Sequence, residues 1–386
     1  MKRLTYALTA VGILGATANL AHAQSAVTLY GIIDTALVYS NNQKGESNYQ
    51  MSSGTLSGSR WGMKGQEDLG GGLQALYVLE NGFSSTTGTL GQNGREFGRA
   101  AYVGLQGAFG RVTAGRQNEA SADFIGTIVS SNLWGGGLAA HPGDTDNYYV
   151  NARISNSVKY LSNDYAGFRV SGLYSFGGTA GNFSNNRIWS LGAQYARGPL
   201  LVAASYLNAS QPNTSLYDGT AGTASISPNN SPIFSGYTSA RSQQVAGVGA
   251  AYTFGAATVD LVYSNVSFQD IGSPSGAAPV ARFRGDTAIF DNVEAGVKYQ
   301  LTPSVLLGAS YNYTRTRGAG DAHYNQANVG ADYFLSKRTD VYLSAGYQQA
   351  SGTDSTGKQA VAALWPISAS SNNHQIVAAL GLRHRF

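Results

Sequence analysis

The side chains that could support catalysis or bind a metal are few and scattered along the 386-residue chain. The chain contains no Cys, and none of its five His residues stands at a metal-ligand spacing from another. Asp144 and Asp146 resemble part of a calcium-binding loop, but the other positions of that signature are missing. No Ser occupies a nucleophile elbow, and no Gly-rich run leads into the Lys of a phosphate-binding loop. The sequence therefore predicts no transition-metal site and no organised catalytic group, and we expect the protein not to be an enzyme.

The composition points away from an ordinary soluble domain. Charged residues make up 12% of the chain, against about 25% in an average soluble protein. The mean hydropathy is nevertheless only −0.16, and there are 50 Gly and 24 Tyr. Such a mixture suits strands that have one apolar face and one polar but uncharged face.

Residues 1–23 have the pattern of a cleaved secretory signal. Lys2 and Arg3 precede a short apolar stretch, which ends at Ala21-His22-Ala23. We expect Gln24 to begin the mature protein, residues 24–386, as one domain. Removing Lys2 and Arg3 lowers the net charge from +4 to +2, so we expect no nucleic-acid partner.

Apolar and polar residues alternate through most of the mature chain. In the segment 292–301 one face carries Val293, Val297 and Leu301, and the other carries Glu294 and Lys298. The segments 304–313, 324–333 and 340–347 repeat this period of two. A soluble sandwich also alternates, but these strands reach around 10 residues, the length that a tilted strand needs to cross a bilayer.

The pattern predicts an all-β fold, a 16-stranded antiparallel transmembrane β-barrel. The predicted strands lie near 27–39, 54–67, 72–82, 97–108, 111–116, 155–162, 167–177, 187–197, 199–209, 241–254, 257–268, 289–301, 304–315, 324–335, 339–350 and 374–386. No segment after the predicted signal peptide has 18 consecutive apolar residues, so no transmembrane helix is expected. A chain embedded in lipid would then have to form a closed barrel. Sixteen strands enclose a water-filled channel.

Short turns and long loops alternate between these strands. The connections 253–258, 301–304 and 335–340 are short, whereas 210–240, 269–288 and 351–373 are long. Outer-membrane barrels place short turns on the periplasmic side and long loops outside. Aromatic residues on the apolar face next to the short turns predict an interfacial girdle; they are Tyr195, Tyr252, Tyr299, Tyr333 and Phe386.

The connection 117–154 differs from the other long loops because it is apolar. It contains Phe124, Ile128, Leu133 and Trp134, and a solvated loop has no reason to expose them. We expect this segment to fold into the lumen and narrow it. A loop that covers the outer rim, or one that contacts another subunit, is the alternative.

Several long segments resemble the Gram-negative general porins of β-proteobacteria, of the Neisseria, Bordetella, Burkholderia and Comamonas type. They are 25–40, 59–83, 98–117, 156–176, 335–347 and the terminal "GLRHRF". The resemblance runs from the signal peptide to the last residue. It implies a homotrimer of sixteen-stranded barrels in the outer membrane, with an inward-folded third loop at the pore eyelet and no cofactor.

The resemblance also implies an arginine cluster on the barrel wall that faces an acidic patch on the third loop. Arg60, Arg99 and Arg153 match the cluster, and Arg116 ends the strand before the loop. Unbroken alternation would turn Arg99 to lipid, so its place in the lumen requires a bulge or a strand end. The candidates on the loop side are Glu119, Asp123, Asp144 and Asp146. The alternative is that each arginine is a solvated wall residue or pairs with a strand carboxylate such as Glu67 or Glu80.

These expectations describe an outer-membrane porin for passive diffusion of small hydrophilic solutes and ions, with a preference for anions. A substrate-selective channel lined by Trp134, Tyr148 and Tyr149 is one alternative. A surface adhesin or phage-receptor role of the loops is another, and it is compatible with the first.

The chain ends on a strand, residues 375–386, rather than on a polar tail. Ile376, Leu380, Leu382 and Phe386 fall on its apolar face, and Arg383 falls on the other. We expect this strand to pair with the first and close the barrel. A terminal Phe also resembles the signal that the barrel assembly machinery recognises. The expected partners are that machinery, outer-membrane lipids and lipopolysaccharide.

Overall fold

The computed structural model describes residues 26–219, 231–272 and 281–386, and strands dominate it. The strands are β1 Ala26–Gln43, β2 Glu46–Ser53, β3 Arg60–Gly70, β4 Leu73–Gly82, β5 Ala100–Gly107, β6 Gly110–Gln117, β7 Ile154–Leu161, β8 Phe168–Ser175, β9 Ile188–Arg197, β10 Leu200–Ser210, β11 Ser242–Phe254, β12 Ala257–Gln269, β13 Ala288–Thr302, β14 Val305–Gly318, β15 His323–Phe334, β16 Thr339–Ser351 and β17 His374–Arg385. The α-helices are α1 Ala120–Asp123 and α2 Pro212–Ser215. The predicted signal peptide, residues 1–23, lies outside the described residues.

The strands form one closed antiparallel barrel with sixteen positions around its wall. Consecutive strands pair with each other, except β2 with β3, and β1 pairs with β17 from Ile32↔Arg385 to Ser40↔Val377. β2 and β3 share one position in the wall. β2 pairs with residues 35–43 of β1, and β3 pairs with residues 26–32 of the same strand. The predicted fold class is confirmed.

The wall breaks between β2 and β3; the sequence predicts one strand over 54–67, which overlaps β3, and does not predict β2. Residues 54–59 leave the sheet, and the strand resumes at Arg60. The buried carboxylate of Asp34 holds this excursion by accepting the N–H groups of Leu56, at 3.0 Å, and Ser57, at 2.6 Å. The Tyr342 hydroxyl donates to the same carboxylate at 2.6 Å. These contacts replace the hydrogen bonds of a ladder.

Apolar side chains face outward and polar side chains face the interior, the reverse of the arrangement in a soluble barrel. Leu261, Val329 and Leu343 point outward and are 59%, 57% and 56% exposed. Glu294 and Gln326, on the opposite face of their strands, are 0% and 2% exposed. An apolar exterior around a polar interior is the pattern of a barrel in lipid. Among the described residues, no helix is long and apolar enough to span a membrane.

Aromatic residues mark the two ends of the apolar exterior. Tyr195, Tyr252, Tyr299, Tyr333 and Phe386 are exposed near the short turns, as the girdle prediction requires. A second set, Tyr263, Tyr311 and Tyr347, is exposed nearer the loop end. Two such belts bracket the hydrocarbon region of a membrane barrel.

Connection lengths follow the predicted alternation with two exceptions. The turns on one end are 71–72, 108–109, 162–167, 198–199, 255–256, 303–304 and 335–338; the loops on the other are 44–45, 83–99, 118–153, 176–187, 211–241, 270–287, 319–322 and 352–373. The loops 44–45 and 319–322 are as short as the turns, so the hairpins β1–β2 and β14–β15 close tightly at the loop end.

Candidate functional site

The lumenal loop, residues 118–153, lies against the inner wall of the barrel. It contains α1, the 3₁₀ turns Ile125–Thr127, Gly136–Ala139 and Pro142–Asp144, and a π-helical turn, Ser131–Gly135. Phe124, Ile125, Ile128 and Val129 are almost fully buried, in one cluster with inward residues of β9 to β13. The apolar composition of the loop is therefore explained by its packing inside the barrel.

Hydrogen bonds fix this loop to the wall at several heights. At its start the Ala120 N–H donates to Ser190 on β9 at 3.1 Å. Further along, Gln326 on β15 donates to the carbonyls of Leu138, at 2.8 Å, and Ala140, at 2.9 Å. The Gly137 N–H donates to the Thr55 carbonyl at 3.1 Å, in the 54–59 excursion. The loop thus crosses the lumen from β9 to the excursion 54–59 between β2 and β3.

Inward glycines make room for the loop's large side chains. A Cβ at Gly308 would collide with the Trp134 ring, and one at Gly330 would come within 3.0 Å of it. A Cβ at Gly247 would collide with the Tyr148 hydroxyl. A strand glycine normally weakens a sheet, and close approach of another group is a recognised reason for one.

A buried charged group anchors the centre of the loop. His141 Nδ1 lies 2.6 Å from the Asp146 carboxylate, and its Nε2 lies 3.4 Å from Glu294 on β13. Glu294 also accepts the Ser130 N–H at 2.8 Å, and Asp146 accepts from Ser264 on β12 at 2.6 Å. Burial alone would lower the pKa of His141, but the two carboxylates outweigh it and raise that pKa well above 6.5. His141 is therefore the cationic centre of this anchor.

The structure brings all four predicted arginines to one cavity of about 940 Å³. Arg60 lies at the start of β3, Arg99 directly before β5, Arg116 near the end of β6 and Arg153 directly before β7. We call these four residues the arginine wall. Arg99 stands directly before β5, so the alternation of that strand does not fix its direction. An inward side chain at this position needs such a strand end.

Hydrogen bonds hold the guanidinium groups of the arginine wall in place. Arg99 Nε lies 2.7 Å from Glu80, and Arg60 Nε lies 3.9 Å from the same carboxylate. Arg116 donates to the Gly98 carbonyl at 2.7 Å and to Ser155 at 2.7 Å. Contacts of this kind fix the direction of long cationic side chains.

Arg153 is the least solvated member of the wall. It is 8% exposed, and its Nε has no hydrogen-bond partner among the described residues. Burial lowers the pKa of Arg153 well below its ordinary value, and the charge of Arg99 lowers it further. The carboxylate of Glu80 acts in the opposite direction but does not outweigh burial and the neighbouring arginines.

The predicted acidic residues of the loop lie elsewhere. Glu119 is buried and accepts the Ser121 N–H at 2.6 Å, which caps α1. Asp123 pairs with Lys159 at 2.9 Å. Asp146 belongs to the His141 anchor, and Asp144 accepts from the Tyr149 N–H at 3.0 Å and from Asn151 at 2.7 Å. None of these four carboxylates lines the cavity; the loop presents Asn118, Asn132, Asn151 and Tyr149 to it.

Burial and the charge of Asp146 together raise the pKa of Asp144 to about 7. Burial alone would raise the pKa of Asp146 as well, but His141 outweighs it and the pKa falls below its ordinary value. The loop therefore keeps one firmly ionised carboxylate beside His141 and one that titrates near neutrality.

Two carboxylates that pair with the arginine wall come from outside the loop, and of the two only Asp218 lines the cavity. From the sequence, Glu80 on β4 is expected only as a possible ion-pair partner of an arginine. In the structure its carboxylate pairs with both Arg60 and Arg99. Asp218 lines the cavity and lies 2.9 Å from Arg95 and 3.9 Å from Arg116. Strand alternation turns Glu80 inward and could have identified it. Asp218 follows α2 in a loop, where side chains do not alternate, so the sequence gives no direction for its side chain.

Residues 7–353 match the sequence family described as Gram-negative porins. The chain belongs to this family. It is 30% identical over 383 residues to an outer membrane porin protein of Bordetella pertussis, covering 88% of this chain and 93% of that protein. It is 28% identical to outer membrane porin protein 32 of Delftia acidovorans, with both chains covered in full.

Solved porin structures share the fold. The anion-selective porin from Comamonas acidovorans superposes with a TM-score of 0.73 and 21% identity, covering 94% of this chain and 100% of that one. A trimer form of OmpT from Vibrio cholerae gives a TM-score of 0.64 at 17% identity, covering 94% and 99%. This porin is an outer-membrane channel, with the family and localisation that the sequence predicts, and it is not an enzyme.

Proposed function

We propose that this porin carries small hydrophilic solutes by passive diffusion and prefers anions, and that the arginine wall sets the preference. The observation that carries the proposal is the charge around the cavity. Four guanidiniums, with Arg95 close by, face two carboxylates, Glu80 and Asp218. The excess positive charge raises the local concentration of anions.

The lumenal loop supplies the other side of the proposed constriction. It contributes neutral amides to the cavity rather than the acidic patch expected from the sequence. The field across the gap then comes from the wall alone, and the loop acts by narrowing the aqueous path. The anion selectivity named for the Comamonas porin supports the same sign of preference.

The ion preference can be measured as a reversal potential in a planar bilayer under a salt gradient. We expect Arg60→Gln to reduce the anion-to-cation permeability ratio several-fold. Lys64→Gln is the matched control, because Lys64 points inward from the same strand but does not line the cavity. Equal effects of the two variants would remove Arg60 from the constriction, and a cation-preferring wild type would overturn the proposal.

A substrate-selective channel receives less support. Of the aromatic residues considered for a solute track, Tyr149 lines the cavity, 5.4 Å from the ring of Trp365. Trp134 and Tyr148 are buried against the wall instead. A single aromatic pair does not make a continuous track.

We also propose that the protein works as a homotrimer, which the trimer form of the Vibrio cholerae porin supports. The barrel assembly machinery and outer-membrane glycolipids complete the proposed set of partners. The mass of the detergent-solubilised complex tests the trimer, since a monomeric mass would contradict it.

A further inference from the structure

Two aromatic rings from separate loops meet at the cavity that holds the arginine wall. Tyr149 belongs to the lumenal loop, and Trp365 belongs to the loop 352–373. Their ring centroids lie 5.4 Å apart at an interplanar angle of 64°, an edge-to-face arrangement. Both residues line the cavity and are only partly buried. The pore therefore presents aromatic surface to water beside its cationic wall.

Trp365 is fixed in place by the segments around it. Gly137 of the lumenal loop packs against the indole so closely that a Cβ there would collide with the ring. The preceding residue, Leu364, is buried in one cluster with Leu138, and its N–H donates to Gln375 on β17 at 2.8 Å. A ring that is already immobile loses little conformational freedom when a flat solute stacks on it, so it binds more strongly than a mobile side chain would.

The polar groups of this aromatic pair have no partner within the part of the chain that the structure describes. Neither the Trp365 indole N–H nor the Tyr149 hydroxyl makes a hydrogen bond there. Burial raises the pKa of Tyr149, while the charges of Arg99 and Arg60 act in the opposite direction. The phenol is therefore a neutral donor within electrostatic reach of both guanidiniums.

The arginine wall keeps donor nitrogens free for a solute. Arg99 uses Nε to bind Glu80, at 2.7 Å, and Arg60 uses one Nη for the Gly58 carbonyl, at 3.3 Å. Among the described residues, no hydrogen bond engages the Nη atoms of Arg99 or the second Nη of Arg60. Free Nη groups of a planar guanidinium bind carboxylates through paired hydrogen bonds.

We propose that Tyr149, Trp365 and the arginine wall form a binding subsite for planar aromatic carboxylates of about the size of benzoate. Arg99 and Arg60 bind the carboxylate, and the ring of the solute packs against the aromatic pair. The cavity volume of about 940 Å³ leaves room for such a solute together with water. The subsite is a single position on the diffusion path and not a continuous track. The proposal rests on the proposed anion preference and names a solute class within it.

The test measures how added solutes block the chloride current through the channel in planar bilayers at neutral pH. Benzoate is compared with cyclohexanecarboxylate, which has the same charge and a similar size but no π system, and with benzamide, which has the ring but no charge. We expect half-maximal block by benzoate at a concentration about fivefold lower than by cyclohexanecarboxylate, the order that an aromatic contact supplies. Benzamide should block least.

Substitution of Trp365 tests the contribution of the ring. Trp365→Leu should raise the half-blocking concentration of benzoate about fivefold, so that the two carboxylates block alike. Trp365→Phe, which keeps a ring, should retain most of the preference for benzoate. Trp189→Leu is the matched control, because Trp189 alternates with the buried Ser190 on β9 and does not line the cavity.

The subsite is overturned if benzoate and cyclohexanecarboxylate block the wild type equally, or if benzamide blocks as strongly as benzoate. It is overturned as well by unchanged block in Trp365→Leu or by an equal loss in Trp189→Leu. Equal losses in Trp365→Phe and Trp365→Leu also count against it, because displacement of the loop 352–373 would explain both.

The anion preference itself is read separately, from the reversal potential in chloride salt without any aromatic solute. An anion-preferring channel that does not discriminate benzoate would reject the subsite and leave the proposed function standing. A cation-preferring channel would remove both proposals, so the two failures are distinguishable.

Discussion

Each guanidinium of the arginine wall has a place fixed by its own contacts. Arg99 is held by Glu80, and Arg116 by a carbonyl and a serine. The family resemblance points to these arginines in the sequence, whereas unbroken strand alternation would turn Arg99 to lipid. The carboxylates of the lumenal loop could not be placed in this way. Their partners, such as Lys159 for Asp123, lie far along the chain and depend on how the loop packs.

His141 carries the largest expected effect of any single residue of the loop anchor. His141→Ala would leave the carboxylates of Asp146 and Glu294 buried without their cation. Breaking a buried ion pair costs about 3–5 kcal/mol, so we expect a loss of that order in the free energy of unfolding in detergent. His374→Ala, at the exposed first residue of β17, is the control and should change little. Equal stability of both variants would contradict the anchor.

The same anchor gives stability a definite pH dependence. The pKa of His141 is raised well above 6.5, so its contribution is full below pH 6.5 and is lost as pH rises through the raised value. Asp144, with its pKa raised to about 7, has the same sign, because its protonated form is favoured in the fold. Unfolding midpoints measured from pH 6 to alkaline pH should fall in wild type and fall less in His141→Ala. Parallel profiles would assign the alkaline loss to other groups.

At the scale of elements, the alternation of apolar and polar residues predicts the strands well. It fails where residues far away in the sequence hold a segment out of the sheet. Every one of the sixteen wall positions is anticipated, mostly to within a few residues. The excursion 54–59 is not, because Asp34, Tyr342 and Gly137 hold it, and all three lie outside the local sequence. Local alternation contains no trace of contacts made across the lumen.

The packing of Trp134 against Gly308 predicts that a methyl group there will displace the lumenal loop. Gly308→Ala places a Cβ within the volume of the Trp134 ring, so the ring and its helical turn must move. We expect altered single-channel conductance and increased current noise. Gly172→Ala is the control, because its Cβ would lie 3.2 Å from a Leu191 side-chain atom and 3.9 Å from the Ser190 carbonyl oxygen, without touching the lumenal loop. Identical conductance for both variants would show that the loop position is not set by this glycine.

At the scale of the whole molecule, closure joins the first described strand to the last. The backbones of Gly31 and Phe386 exchange hydrogen bonds of 3.0 and 3.1 Å, and the Phe386 ring covers Gly31. Deleting Phe386 should lower the yield of folded barrels, read as heat-modifiable protein on gels, and leave the conductance of folded channels unchanged. Phe254→Ala, another exposed aromatic residue beside a turn, is the control. A normal yield without Phe386 would contradict its proposed role in assembly.

The one-sided arrangement of charge at the cavity has a consequence for how current depends on the bathing salt. Arginines occupy the barrel wall and the last position of the lumenal loop, Arg153, whereas the rest of that loop offers amides. In dilute electrolyte, at about 0.01 M, the screening length reaches about 30 Å and exceeds the width of such a gap. The number of mobile anions inside is then set by the fixed guanidiniums rather than by the bath. Conductance should therefore level off at low ionic strength instead of falling in proportion to concentration, as it would in a neutral tube.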